Sequence, residues 1–484
     1  MNLTAVSAAG PFNSAANPFP PAATSLHPGL LARPRPDPTS LAGLPACVED
    51  AQLAALAGGD GPADPRTFST LRARLVKAEA SLPEAYRKAA FEPLLRRLDQ
   101  LGAAGFARLL AEDPAREAEA GLLLDVAQAI LQQGEGYQAR ATAAFQEVVS
   151  DLYEGFLAAE GRQGVKPPEG GILPPLVRWG SAGAGPYTWP VTATASLGVG
   201  VAVVSLPAAN ATAGLLAWPA LAHEVAGHDL MAADHGLGEE LAKVVRTRLL
   251  ADKSSPVVAD YWADRIEESA ADVLGVLNMG PAAAEGLIGY FRGLNGAWGE
   301  GPALRTDGPV GDDHPADLAR AYLAAETVRL LSFKGASRWA DKLIAEADRD
   351  LGRIHLGDTA VTAGVAKASA AAVARAIATT PLASLEGRTL LQIQDWRDSD
   401  EAIVAELRRS LRGGAGGGEA GRDAAAGAYA AGAYAAHAVA AGVQEAVSGE
   451  ADPVRVMGRM VAMLAAMHDR NPAWGRPSTS PRAA

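Results

Sequence analysis

A single cysteine, Cys47, stands in 484 residues. One cysteine cannot form an internal disulfide and cannot build an all-cysteine metal site. Aromatic residues are scarce at 5%, and charged residues make up only 20%. Basic residues are the minority: 43 Lys and Arg against 55 Asp and Glu leave a net charge of −12. That balance argues against nucleic acid or an anionic membrane surface as the main partner. A long apolar run is also missing. The most apolar window, roughly 191–222, is interrupted by Pro207, Asn210 and Pro219, so no membrane span is expected. The N-terminus has neither a basic n-region nor an unbroken apolar h-region, which makes a cytoplasmic location the expectation.

Hydrophobic residues reach 49%, enough for a sizeable core. The pattern along the chain predicts a mostly α protein with a small β-sheet, in five stretches. Residues 1–65 read as an irregular Pro/Ala-rich arm, because their apolar residues show no period. Residues 66–161 carry apolar side chains at three- and four-residue spacings and read as helical. The core is expected over 162–335. It begins with a loop rich in proline, followed by the strand VTATASLGVGVAVVSLP with a bend at Gly198 and Gly200. A helix with Pro219 in its first turn and Gly236 as its stop comes next, then a second over VVADYWADRIEESAADVLGVLNM. Residues 336–471 read as an Ala-rich helical region with a glycine-rich break near 413–421, and 472–484 as a tail.

Three of the eight histidines fall between 223 and 235. The densest part reads His223-Glu224-Val225-Ala226-Gly227-His228-Asp229. Burying so many ionisable groups in an Ala/Leu helix is costly unless a metal or a hydrogen-bond network satisfies them. His223 and His228 are five residues apart, which on a regular helix separates them by about 140°. A π-type turn, centred on Val225 to Gly227, would bring both to one face. Without it, Glu224 and His228 share a face and His223 falls behind. Downstream, Glu268 and Asp272 are one turn apart on a second helix, with Glu267 competing for the role of Glu268.

This pair of motifs resembles the gluzincin zinc peptidases, with HExxxH in place of HExxH and a later ExxxD. The resemblance implies a gluzincin-like metal core flanked by helical segments. It implies one Zn²⁺ per chain held by His223, His228 and Glu268, with Asp272 orienting a zinc histidine and Glu224 as the general base. Asp312-Asp313-His314-Pro315 resembles a segment of some gluzincins in which a late histidine faces the site. That makes His314 a catalytic candidate, with Tyr187 or Tyr261 as other oxyanion donors. The strand before the metal helix would be the edge on which an extended peptide or protein substrate lies. The alternative is a non-proteolytic structural or interaction protein with a peptidase-like, metal-holding core. His235 is a minor ligand candidate; His355, His437 and His468 read as packing or surface groups. Oligomeric state is not legible.

Overall fold

The computed structural model describes residues 37, 39–59, 61–158, 163–169, 173–299, 301–412, 434–449, 451–471 and 473–474. The glycine-rich break and nearly all of the tail lie outside them. The fold is mostly helical with two small three-stranded sheets. The periodic stretches of the N-terminal region form the helices Phe68–Ala78, Glu92–Glu112, Glu119–Glu135 and Ala139–Ala158. From Pro38 onward the chain clusters as one unit. No helix among the described residues is long and apolar enough to cross a membrane.

The arm expected to be irregular contains a helix, Leu44–Leu56, with Leu44, Cys47, Val48 and Ala51 buried. Asp50 is buried in it while Leu53 and Leu56 are exposed, so it leaves little periodic signal. Small residues on both sides let it lie close to the helix Pro281–Trp298: a Cβ on Gly293 would fall 2.7 Å from the Ala51 Cβ.

The first sheet differs most from expectation. Only the end of the predicted strand is extended. Pro190 starts a short helical turn at Val191–Thr194, and Gly198, with φ 75°, closes the turn that follows. The strand proper is Val203–Pro207, here β3. Its partners, β1 (Leu176–Gly180) and β2 (Tyr187–Trp189), arise from the stretch read as a loop. The order is β1-β3-β2. β1 runs parallel to β3 with Leu176 opposite Val203, and β2 runs antiparallel with Thr188 opposite Val204. β3 is therefore central, and β1 and β2 are the edges. Alternation splits the sheet between two cores. Leu176 and Val203 join the core that includes Leu123, Val126 and Ile130 of Glu119–Glu135. Val177, Trp179, Val204 and Leu206 join the main core with Phe145 and Trp218.

The second sheet, β4 (Asp307–Gly308), β5 (Ile354–Leu356) and β6 (Thr359–Val361), is too short to announce itself in sequence. Two helix boundaries also move. The histidine helix stops at Ala233, and Gly236 precedes the next helix, Leu237–Ala251, rather than ending the first. The long helix after it breaks at Arg265 into Pro256–Asp264 and Ile266–Met279.

Candidate metal centre

The histidine helix is built in three pieces: Ala220–Ala222 is α, His223–Asp229 is π, and Leu230–Ala233 is α again. The seven-residue π segment brings His223 and His228 onto one face, with their Nε2 atoms 3.1 Å apart. Gly227 matters here through contact rather than backbone freedom. A Cβ at that position would lie 2.3 Å from the Ala271 Cβ and 2.5 Å from the Ala271 Cα. Gly275, one turn further along the same facing helix, backs onto the His223 backbone. Two small-residue contacts thus seat the π segment directly against Ile266–Met279.

That seating delivers Glu268 to the histidines. One carboxylate oxygen, Oε2, lies 3.4 Å from His223 Nε2, and the other, Oε1, lies 3.3 Å from His228 Nε2. Glu267, the alternative, is exposed and points to the outer cleft. With the π turn in place, the Glu224/His228 pairing is not needed to bring two donors together. Asp272 Oδ1 accepts from His223 Nδ1 at 2.9 Å. Arg320, on the helix Asp317–Leu330, donates to both Asp272 oxygens at 2.8 Å and sits 3.2 Å from Glu268 Oε2. Because Arg320 holds Asp272 charged, Asp272 accepts a hydrogen bond from His223 Nδ1–H, and His223 Nε2 turns inward.

The donor set fits a small divalent cation. Zn–N and Zn–O bonds of about 2.0–2.1 Å at tetrahedral angles put neighbouring ligand atoms about 3.3 Å apart. The two Nε2 atoms, 3.1 Å apart, and the contacts of 3.3 and 3.4 Å that the two different oxygens of Glu268 make to them lie near that edge length, so the carboxylate spans the pair of histidines. Glu268 Oε2 is buried yet makes no well-formed hydrogen bond among the described residues. The electrostatics agree. Burial alone would lower the His223 imidazole, but hydrogen bonds to Asp272 and Glu268 outweigh it and raise the group to about 10. Burial opposes the charge on Glu268, and Arg320 with the two histidines overrides it, holding the carboxyl far below the usual range. The point where the three side chains converge calls for positive charge.

Two cavities meet at this point, and His223, Glu224, Glu268 and His314 line both. One is a wide cleft of about 870 Å³ whose charged side chains besides histidine are all acidic: Glu224, Asp234, Glu239, Glu267 and Glu268. The other is smaller, about 230 Å³. Glu224 is buried on their shared wall, and its Oε2 accepts from Thr188 Oγ1 at 2.7 Å. Thr188 is placed by β2. Tyr187 and Trp189, on the opposite face of the strand, both donate to Asp125 of Glu119–Glu135, at 2.6 and 2.8 Å. The edge strand beside the π segment is therefore β2, not the β3 stretch that sequence order suggested.

His314 Nε2 lies 3.5 Å from Glu268 Oε1, while its Nδ1 is 3.0 Å from Asp312 Oδ1. The helix that follows, Asp317–Leu330, starts after Ala316. The tyrosines are committed elsewhere. Tyr187 Oη is tied to Arg178 and Asp125, and Tyr261 Oη accepts from the Ala316 backbone N–H at 2.9 Å. His235 lines the wide cleft, exposed and outside the donor cluster. His437 is buried against Asp400, His468 is largely buried, and His355 is near Asp307 at the second sheet. Arg320 and Thr188 were not foreseen. Arg320 had a signal, a lone charge within the apolar stretch from Leu318 to Ala325. Thr188 had none, because its role depends on a three-residue strand. Compared with protein-family models, curated proteins and solved structures, the chain matches none.

Proposed function

We propose that the chain is a zinc-dependent peptidase, with one Zn²⁺ held by His223, His228 and Glu268. The observation that carries this reading is the convergence of two imidazoles and a carboxylate, with donor atoms within 4.8 Å of one another, beside a buried glutamate on a cleft wall. Bound there, the cation would supply Lewis acidity, which makes water a nucleophile near neutral pH and polarises a carbonyl.

The chain's own residues account for the rest. Glu224 takes the proton from the attacking water and later returns it to the leaving amine. Thr188 occupies one of its oxygens, which leaves the other to face the cleft. His314, at the junction of the cavities, donates to the carbonyl oxygen as negative charge grows there. Asp272 and Arg320 fix the His223 tautomer and so aim its Nε2. β2 offers its free edge to an extended peptide, which would add as a further antiparallel strand.

The test is hydrolysis of an unfolded protein by the zinc-loaded chain and by Glu224→Gln. The expected result is full zinc content in both and a fall in rate of roughly 10²–10⁴ in the variant. Bound zinc with no hydrolysis in the parent chain would make the metal structural and end the peptidase reading.

A further inference from the structure

We propose that the smaller of the two cavities takes one large apolar side chain of the substrate, next to the bond that is cut. This rests on the peptidase reading and adds a substrate class to it.

Three observations lead there. First, most of the cavity's lining is apolar, and its charged side chains and histidines, His223, Glu224, Glu268, Asp272, His314 and Arg320, all belong to the metal centre. Its walls include Leu216, Val276, Ala283, Leu287, Phe291 and Leu294. Four of these, Ala283, Leu287, Phe291 and Leu294, follow one another at spacings of four, four and three along Pro281–Trp298. That is one stripe of the helix, and its members are only partly buried, whereas most neighbouring residues are fully buried. A stripe with that period should face a partner; among the described residues it packs at the edge of the core and lines the cavity.

Second, the size fits a single side chain. An apolar cavity of about 150 Å³ is enough to bind benzene. About 230 Å³ is enough for one leucine or phenylalanine side chain, and is too small for a folded partner element. Phe291 forms a fixed wall because the Arg320 guanidinium lies over its ring, 4.8 Å from the centroid.

Third, the cavity opens at the chemistry. His223, Glu224, Glu268 and His314 form its polar end and also border the wide cleft. A chain lying along the cleft would pass its scissile carbonyl at that junction, so an adjacent side chain drops into the apolar space. Desolvating such a side chain favours binding in proportion to the area it buries. Glycine in its place leaves the space empty.

The experiment uses the zinc-loaded full chain and a set of peptides identical except for Gly, Ala, Leu or Phe at the residues flanking the cut. At one of those positions Leu or Phe is expected to exceed Gly in kcat/KM by about 10-fold or more. Ala283→Leu, which shrinks the cavity, should remove the advantage of Phe over Ala. Leu287→Ala, which widens it, should move the preference toward the larger side chain. Opposite shifts from two variants cannot come from misfolding, which would slow all peptides together. Cleavage without an apolar preference, or variants that change all peptides in parallel, would overturn the cavity's role alone. Zinc content and cleavage of the whole set are read first; absence of either removes the peptidase reading and this inference with it.

Discussion

Gly227→Ala adds one methyl group at the contact between the π segment and Ile266–Met279. Carbon atoms rest comfortably at about 3.5 Å or more. The new Cβ would start 2.3 Å from the Ala271 Cβ and 2.5 Å from its Cα, so the two helices must part by roughly 1 Å. Trimming Ala271 would not relieve the clash, since the Cα belongs to the backbone. Overpacking of this kind costs about 1–3 kcal/mol, occasionally more. The effect on metal should be larger. The donors from the two helices are now 3.3 and 3.4 Å apart, and metal–ligand bonds tolerate only about ±0.2 Å. A 1 Å separation takes Glu268 out of bonding range of a cation held by the two histidines. The assays are chemical denaturation of the metal-free protein and zinc affinity by chelator competition. The expected outcome is a modest stability loss with a zinc affinity reduced by far more than the stability loss alone implies. A variant that keeps both would refute the claim that the glycine contact seats Glu268 against the histidines.

Asp272→Asn should weaken zinc binding by roughly 10–100-fold, because His223 loses its charged acceptor. It should also lower folding stability by up to about 3–5 kcal/mol, since Arg320 is left buried with a single carboxylate; titration by chelator and denaturation measure the two effects separately. Thr188→Val should reduce kcat by about 10-fold with KM little changed, and Thr188→Ser should restore it, as expected for a hydroxyl that donates to the Glu224 carboxylate. Away from the site, Glu285 is buried with neither carboxylate oxygen hydrogen-bonded among the described residues. Burial pushes it up from 4.5 to about 8. Between those pH values the folded chain keeps a proton that the unfolded chain has released, so this group makes stability fall as pH rises through that window. Glu285→Gln should flatten that slope in denaturation measured from pH 5 to 8; an unchanged slope would show that Glu285 is ionised in the fold.

The cluster of His223, His228 and Glu268 was legible in sequence where local spacing implied it. The five-residue offset from His223 to His228 required a π turn for both to share a face, and the π segment spans those residues. Glu268 and Asp272 were legible as one helix face. The surrounding support was not, because it comes from contacts distant in sequence. Arg320 reaches Asp272 across 48 residues, and Thr188 reaches Glu224 across 36. β1 and β2 were hidden because strands of five and three residues among prolines and glycines carry no readable alternation. VTATAS misled in the other direction. Its β-branched residues favour strand, but Pro190 and Gly198 impose a tight helical turn between them. The helix Leu44–Leu56 was missed because Asp50 is buried while Leu53 and Leu56 are exposed, which blurs the contrast between its faces.

The central claim is that His223, His228 and Glu268 together hold one zinc ion. The most direct measurement is X-ray absorption at the zinc edge on the metal-replete full chain, with zinc quantified in the same sample. The account predicts one zinc per chain with two imidazole nitrogens and carboxylate oxygen near 2.0–2.2 Å, and loss of one imidazole in His228→Ala. Zinc absent from replete protein, or a spectrum unchanged by His228→Ala, would contradict it.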